Sequence, residues 1–106
     1  MKRVVLFVLG ASLIVLCVAV AFSTDAAVDR GKEVYKVQKC AMCHSIAGVG
    51  NKMSPLDGCG TRLKADEIKK WIKTPAVMKA DTTMIDYPKL SDKDLEDLTA
   101  YMLSLK

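Results

Sequence analysis

An all-α domain of three to four helices is what this sequence predicts, and three observations carry the expectation. Apolar residues recur at helical spacing in three separate stretches. No stretch shows the period-two alternation of a half-buried strand, and no internal repeat or low-complexity segment appears. Between the first and second of these stretches stands Cys40-Ala41-Met42-Cys43-His44, a pattern that places two sulfurs on one side of a single helical turn.

The N-terminus comes first. Met1-Lys2-Arg3 precedes an uncharged, mostly apolar run from Val4 to Phe22, the composition of a secretory leader occupying residues 1–23. Ala19-Val20-Ala21 and Ala21-Phe22-Ser23 both fit the small-x-small pattern, so cleavage is expected after Ala21 or Ser23. The alternative is retention as an uncleaved membrane anchor, because a run of this length can span a bilayer. Cys17 follows Leu16, where a lipoprotein signal wants a small residue, and is read as part of the run. Residues 24–106 then form one domain. Without Lys2 and Arg3 the 16 basic residues fall to 14 against 12 acidic ones, a net +2, which gives little reason to expect nucleic acid as a partner. A chain this short struggles to stabilise itself on its own core.

Ala27, Val28, Gly31, Val34 and Tyr35 share one face of a first helix running up to Cys40. Glycine in a helix interior costs about 1 kcal/mol relative to alanine, so Gly31 is either room for a second helix crossing closely or a glycine tolerated near a helix start. Ser45 to Gly60 is rich in turn residues and reads as a loop, with Ile46, Val49, Met53 and Leu56 available to wrap an apolar surface. Ala65 to Lys73 groups Ile68, Trp71 and Ile72 on a short middle helix, acids in its first turn and lysines in its last. Thr74-Pro75 stops it. Ala76 to Leu90 lacks a sustained period and reads as a second loop. Ser91 is a good N-cap for a terminal helix whose stripe is Leu95, Leu98, Met102 and Leu105, with Tyr101 at its edge.

The Cys-x-x-Cys-His pattern is the attachment signature of a c-type haem. Cys40 and Cys43 can form thioethers with two vinyl groups on one haem edge, and His44 then supplies an imidazole to the iron. Other readings are weaker. Zinc would need further ligands, yet His44 is the sole histidine and Cys59 the only later cysteine. A redox dithiol would need a βαβ setting, and a Cys40–Cys43 disulfide would close too short a loop to constrain the unfolded chain. One covalent haem c would supply the interior that so short a chain lacks, with the helices wrapped around it.

With these residues in place, Val28 to Leu105 resembles the class I monohaem c-type cytochromes, especially small bacterial periplasmic ones. Gly31 and Tyr35 resemble the glycine and aromatic of the family's first helix, and Leu98 and Tyr101 their partners on the last, which implies that these helices cross at near right angles. Ser54-Pro55-Leu56 resembles the family's Gly-Pro-x-Leu turn, with serine for glycine and one residue fewer. That implies that the Pro55 carbonyl accepts a hydrogen bond from His44. The mature methionines are Met42 in the attachment turn, Met53 in the first loop, Met102 on a helix stripe, and Met78 and Met84 in the second loop. Thr82-Thr83-Met84-Ile85-Asp86-Tyr87-Pro88 resembles the family's Thr-Lys-Met-Pro-x-aromatic-Pro segment, which implies Met84 as the sixth iron ligand and Met78 as a gap-filling hydrophobe. Ile85 departs from the family's proline. Trp71 resembles an aromatic lying against the haem edge, and its helical spacing equally fits core packing. Cys59 reads as a small buried hydrophobe, with an intermolecular disulfide as the minor alternative.

The resemblance implies electron transport with iron held by His44 and Met84. The expected protein is a monomeric periplasmic carrier, not an enzyme, shuttling single electrons between redox partner proteins of a respiratory chain. It would meet a membrane only if the leader is retained. The lysines between Lys32 and Lys89 either ring the haem edge and steer acidic partners or form an ordinary solvated surface. Two alternatives stand beside the carrier: an electron-entry module fixed to a membrane oxidoreductase, and a five-coordinate haem catalyst or sensor.

Overall fold

The computed structural model describes residues 21–106. The leader expected at 1–23 lies almost wholly outside the described residues. Among the described residues no helix is long and apolar enough to cross a membrane.

The frame is a pair of helices, α1 (Ala21–Val37) and α5 (Asp92–Ser104), with α3 (Ala65–Lys73) packed beside α5. Helix α1 starts earlier than its apolar stripe suggests and ends sooner, because Lys39 turns into the left-handed region at φ 57° and takes the chain out of the helix. The Ser91 hydroxyl accepts from the Asp94 N–H at 3.1 Å and caps α5 as expected. Where the two helices meet, a Cβ on Gly31 would stand 2.7 Å from the Tyr101 Cβ and nearer still to the Asp97 carbonyl oxygen. Gly31 is therefore room for a crossing helix, and the tolerated-glycine reading falls. Tyr35 and Tyr101 meet edge to face beside it, with centroids 5.7 Å apart and planes at 87°.

Helix α3 spans the residues expected of it. Ile68 and Ile72 are buried, and the Glu67 carboxylate accepts from the Lys64 N–H at 3.0 Å, satisfying one donor at its N-terminus. Lys69 and Glu96 pair across to α5. Val34, Tyr35, Cys59, Ile68, Ile72, Leu90, Leu95, Leu98 and Met102 form the buried cluster. Cys59 sits in it at 4% exposure, as the small-hydrophobe reading requires.

Two loops hold more structure than expected. Ser45–Gly60 contains a small sheet of β1 (His44–Ile46), β2 (Val49–Gly50) and β3 (Ser54–Pro55) in the order β2-β1-β3, β2 antiparallel and β3 parallel to the centre. The protein is mostly helical, but the expectation of no strand is corrected. Pairings of two residues are too short to carry an alternation signal. A four-residue helix α2 (Cys59–Arg62) follows, and Gly60 lies against the end of α5, its N–H donating to the Leu105 carbonyl at 2.7 Å. A side chain at Gly60 would strike the Leu103 carbonyl. After α3, Pro75 ends one helix and opens another, α4 (Pro75–Met78), because its fixed φ suits a first helical position.

Candidate haem site

Cys40–Met42 form a single 3₁₀ turn closed by the Cys43 N–H donating to the Cys40 carbonyl at 3.1 Å. Cys40 is half-buried against the core cluster, and burial pushes its thiol pKa up; Cys43 is exposed. Neither forms a disulfide among the described residues. Asn51 fastens the turn from outside. Its backbone N–H donates to the Ala41 carbonyl at 2.9 Å, its side-chain amide donates to the Met42 carbonyl at 3.0 Å, and its side-chain oxygen accepts from the Met53 N–H at 3.0 Å. Sequence reasoning counted Asn51 only among the turn residues of this loop, although asparagine is a residue type that closes turns through its own side chain.

His44 opens β1, and its Nδ1 lies 3.0 Å from the Ser54 carbonyl oxygen. A carbonyl can only accept, so Nδ1 carries the proton and Nε2 keeps its lone pair for a metal. The acceptor is Ser54, not Pro55. The cause is register: β3 runs parallel to β1 with Ser54 opposite His44 and Pro55 opposite Ser45, and the Leu56 N–H bonds the Ser45 carbonyl at 2.8 Å. Counted back from Leu56, Met53-Ser54-Pro55-Leu56 fits a four-residue turn of full length, with serine at the acceptor position. Pro55 is exposed and takes no part in this bond.

The second loop passes close to this turn. Burial pushes the Tyr87 hydroxyl pKa up, and Cys40 and Cys43 are near enough to push it further. The Tyr87 N–H donates to the Ile72 carbonyl at 3.0 Å, and Lys73 Nζ donates to the carbonyls of Pro88 and Leu90, each at 3.0 Å. Within the segment the Met84 N–H donates to the Thr82 hydroxyl at 3.2 Å. Met84, Met78 and Trp71 are each half-buried, and none is among the side chains packed against the core cluster. Plain core packing therefore does not account for Trp71. Met102 is core, while Met42 and Met53 are 69% and 87% exposed.

These residues fit a covalently held haem. The imidazole has one nitrogen committed to the backbone and one free, and two thiols stand on the turn just before it. No large side chain among the described residues is fully buried, as expected of a domain whose interior is completed by an apolar group. Among the described residues the buried Tyr35 hydroxyl has no hydrogen-bond partner, and burial pushes its pKa up to about 12. Among the described residues no three His, Cys, Asp or Glu side chains gather into an ion cluster.

A family model described as Cytochrome c matches residues 28–106. Two curated proteins that resemble the chain are named cytochrome c oxidase subunit 2. The one from Alkalihalophilus pseudofirmus is 29% identical over 92 residues, covering 78% of this chain and 27% of the relative. The one from Bacillus subtilis is 29% identical over 92 residues, covering 73% and 26%. The chain thus spans about a quarter of the length of these relatives. No solved structure matches.

Proposed function

Because this chain belongs to the cytochrome c family, whose domain serves haem-based electron transfer, we propose that it is a one-electron carrier in which Cys40 and Cys43 hold one haem and His44 and Met84 are its axial ligands. The observation that carries the reading is the bond from His44 Nδ1 to the Ser54 carbonyl, which fixes the ring and its tautomer with Nε2 free. Donation from Nδ1 to a backbone acceptor also raises the basicity of the ligating nitrogen. Met84 stands in a segment tied to α3 and running beside the attachment cysteines, and its soft sulfur favours the reduced state. Trp71 would lie along the face that its helix leaves outside the core cluster. With His44 and Met84 holding the iron, the haem would offer no open site to substrate, and one-electron exchange is the chemistry it would supply. The carrier reading includes export by the leader to the periplasm and transient redox partners.

A second reading has its own support. Both curated relatives are named as oxidase subunits, so an electron-entry module working on a membrane oxidase is the reading to set against a free carrier. Cell fractionation separates the two: a carrier is recovered in the periplasm at the mass of residues 22 or 24 onward plus one haem, and a fixed module stays in the membrane fraction at full-length mass. Ligation is tested by optical redox titration. The ferric protein should show the weak far-red band of sulfur-to-iron charge transfer, and Met84→Ala should abolish it and lower the potential. Met78→Ala should leave both unchanged. A wild-type ferrous protein that takes up carbon monoxide at once at neutral pH would remove Met84 from the iron and the carrier reading with it.

A further inference from the structure

We propose that Lys73 is a positioning residue for Met84: its ammonium, bonded to the carbonyls of Pro88 and Leu90, clamps the ligand-bearing segment to α3. The inference rests on Met84 being the ligand. Three bonds of the segment stay inside it, from the Thr82 N–H to the Lys79 carbonyl, the Met84 N–H to the Thr82 hydroxyl, and the Leu90 N–H to the Tyr87 carbonyl. They shape the loop but do not attach it to the body. Tyr87 and Leu90 pack its far end on the core cluster, and the hydrogen bonds that tie it to α3 are the Tyr87 N–H on the Ile72 carbonyl and those of Lys73, whose two bonds of 3.0 Å reach 15 and 17 residues ahead. Ile85, next to the ligand, is 65% exposed and anchors nothing.

The placement suits the chemistry. An ammonium offers three donors on a flexible stem, and hydrogen bonds from a charged donor are the stronger kind. The C-terminal end of α3 adds its own carbonyl dipoles to hold a cation there. Lys70 shares that last turn, is exposed, and makes no side-chain bond to the segment. It is the built-in control, since the dipole acts on both lysines and the clamp on one.

The test uses the haem-loaded protein in the ferrous state. Carbon monoxide enters only when Met84 leaves the iron, so its uptake rate reports how often the segment opens. Lys73→Met keeps the stem and removes the donors, and uptake should rise at least about tenfold, because both charged hydrogen bonds are lost and either one alone accounts for about that factor. Lys73→Arg should restore the slow rate, and Lys70→Met should match wild type. Amide exchange at Tyr87, read by NMR, should quicken in Lys73→Met alone. Lys73→Met with wild-type uptake and wild-type exchange overturns the clamp. If wild type itself takes up carbon monoxide at once, the ligand assignment fails instead, and Tyr87 exchange alone decides the clamp: quickened by Lys73→Met it stands, unchanged it falls.

Discussion

The stretch from Cys40 to Leu56 carries the attachment motif and the stretch from Pro75 to Leu90 carries the proposed ligand Met84, and they are held by different means. The first is a chain of near neighbours. Its turn, its three short strands and Asn51 bond to one another within about a dozen residues, so the backbone that carries Cys40, Cys43 and His44 is largely fixed by itself. The second has a single helical turn followed by irregular chain, and it depends on α3 for its position. One side is built for permanence, the other for a bond that can open. A covalent attachment with a fixed imidazole needs the former, and a thioether ligand tolerates the latter.

The largest effect comes from emptying the first stretch. Cys40→Ala combined with Cys43→Ala should abolish haem-linked staining on a denaturing gel, while Met84→Ala should leave that staining intact. Wild-type staining in the double variant would show that attachment lies elsewhere.

Breaking the frame should disturb both stretches together. Gly31→Ala forces a Cβ into the Asp97 carbonyl and the Tyr101 side chain, and overpacking of this kind costs about 1–3 kcal/mol. The melting temperature should fall by about 4–8 °C for each kcal/mol in a domain of this size. An unchanged melting temperature would mean that the helices part without cost.

The frame also has an acid-sensitive joint. The Asp97 side chain is 7% exposed on α5, and Arg30 from α1 lies 3.1 Å from it, with Lys93 at 3.0 Å. The hydrogen bond from Arg30, aided by Lys93, holds the carboxyl below its usual range. The folded state then gives up that proton more readily than the unfolded chain does. Its contribution is full above about pH 4, the unfolded carboxyl value, and is lost as pH falls below it. Urea midpoints from pH 7 down to pH 3 should drop in wild type and flatten in Asp97→Asn; parallel curves would dismiss the joint.

The smallest effect sharpens the contrast most. Asn51→Ala removes a neutral clip that is worth about 1 kcal/mol. It should reduce the fraction of chains with attached haem and spare the far-red band of those that carry it. Loss of the band without loss of attachment would show that the two stretches are coupled.

Periodicity and capping made the frame legible in the sequence. Ala65–Lys73 and the Ser91 cap stand where spacing and residue type put them, and Gly31 was readable as a crossing point because a glycine inside an apolar stripe asks for a reason. Cys40, Cys43 and His44 follow from a motif whose chemistry fixes its spacing. What stayed hidden depends on partners distant in the chain. Asp97 looks like one more acid on a surface face until Arg30 arrives from α1, and Lys73 looks like a dipole lysine until the loop returns to it. The Ser54 acceptor was missed because proline drew the alignment and strands of two residues leave no pattern to correct it.

That acceptor is a main-chain oxygen, and this sets what the site can tolerate in variation. Any residue placed at position 54 brings a carbonyl with it, so side-chain replacement there, serine for proline included, leaves the imidazole's partner in place. The vulnerable quantity is chain length. One residue inserted or deleted between Ile46 and Ser54 would slide β3 along β1 and offer His44 a different neighbour, so this region should accept substitution far more readily than it accepts a change in spacing.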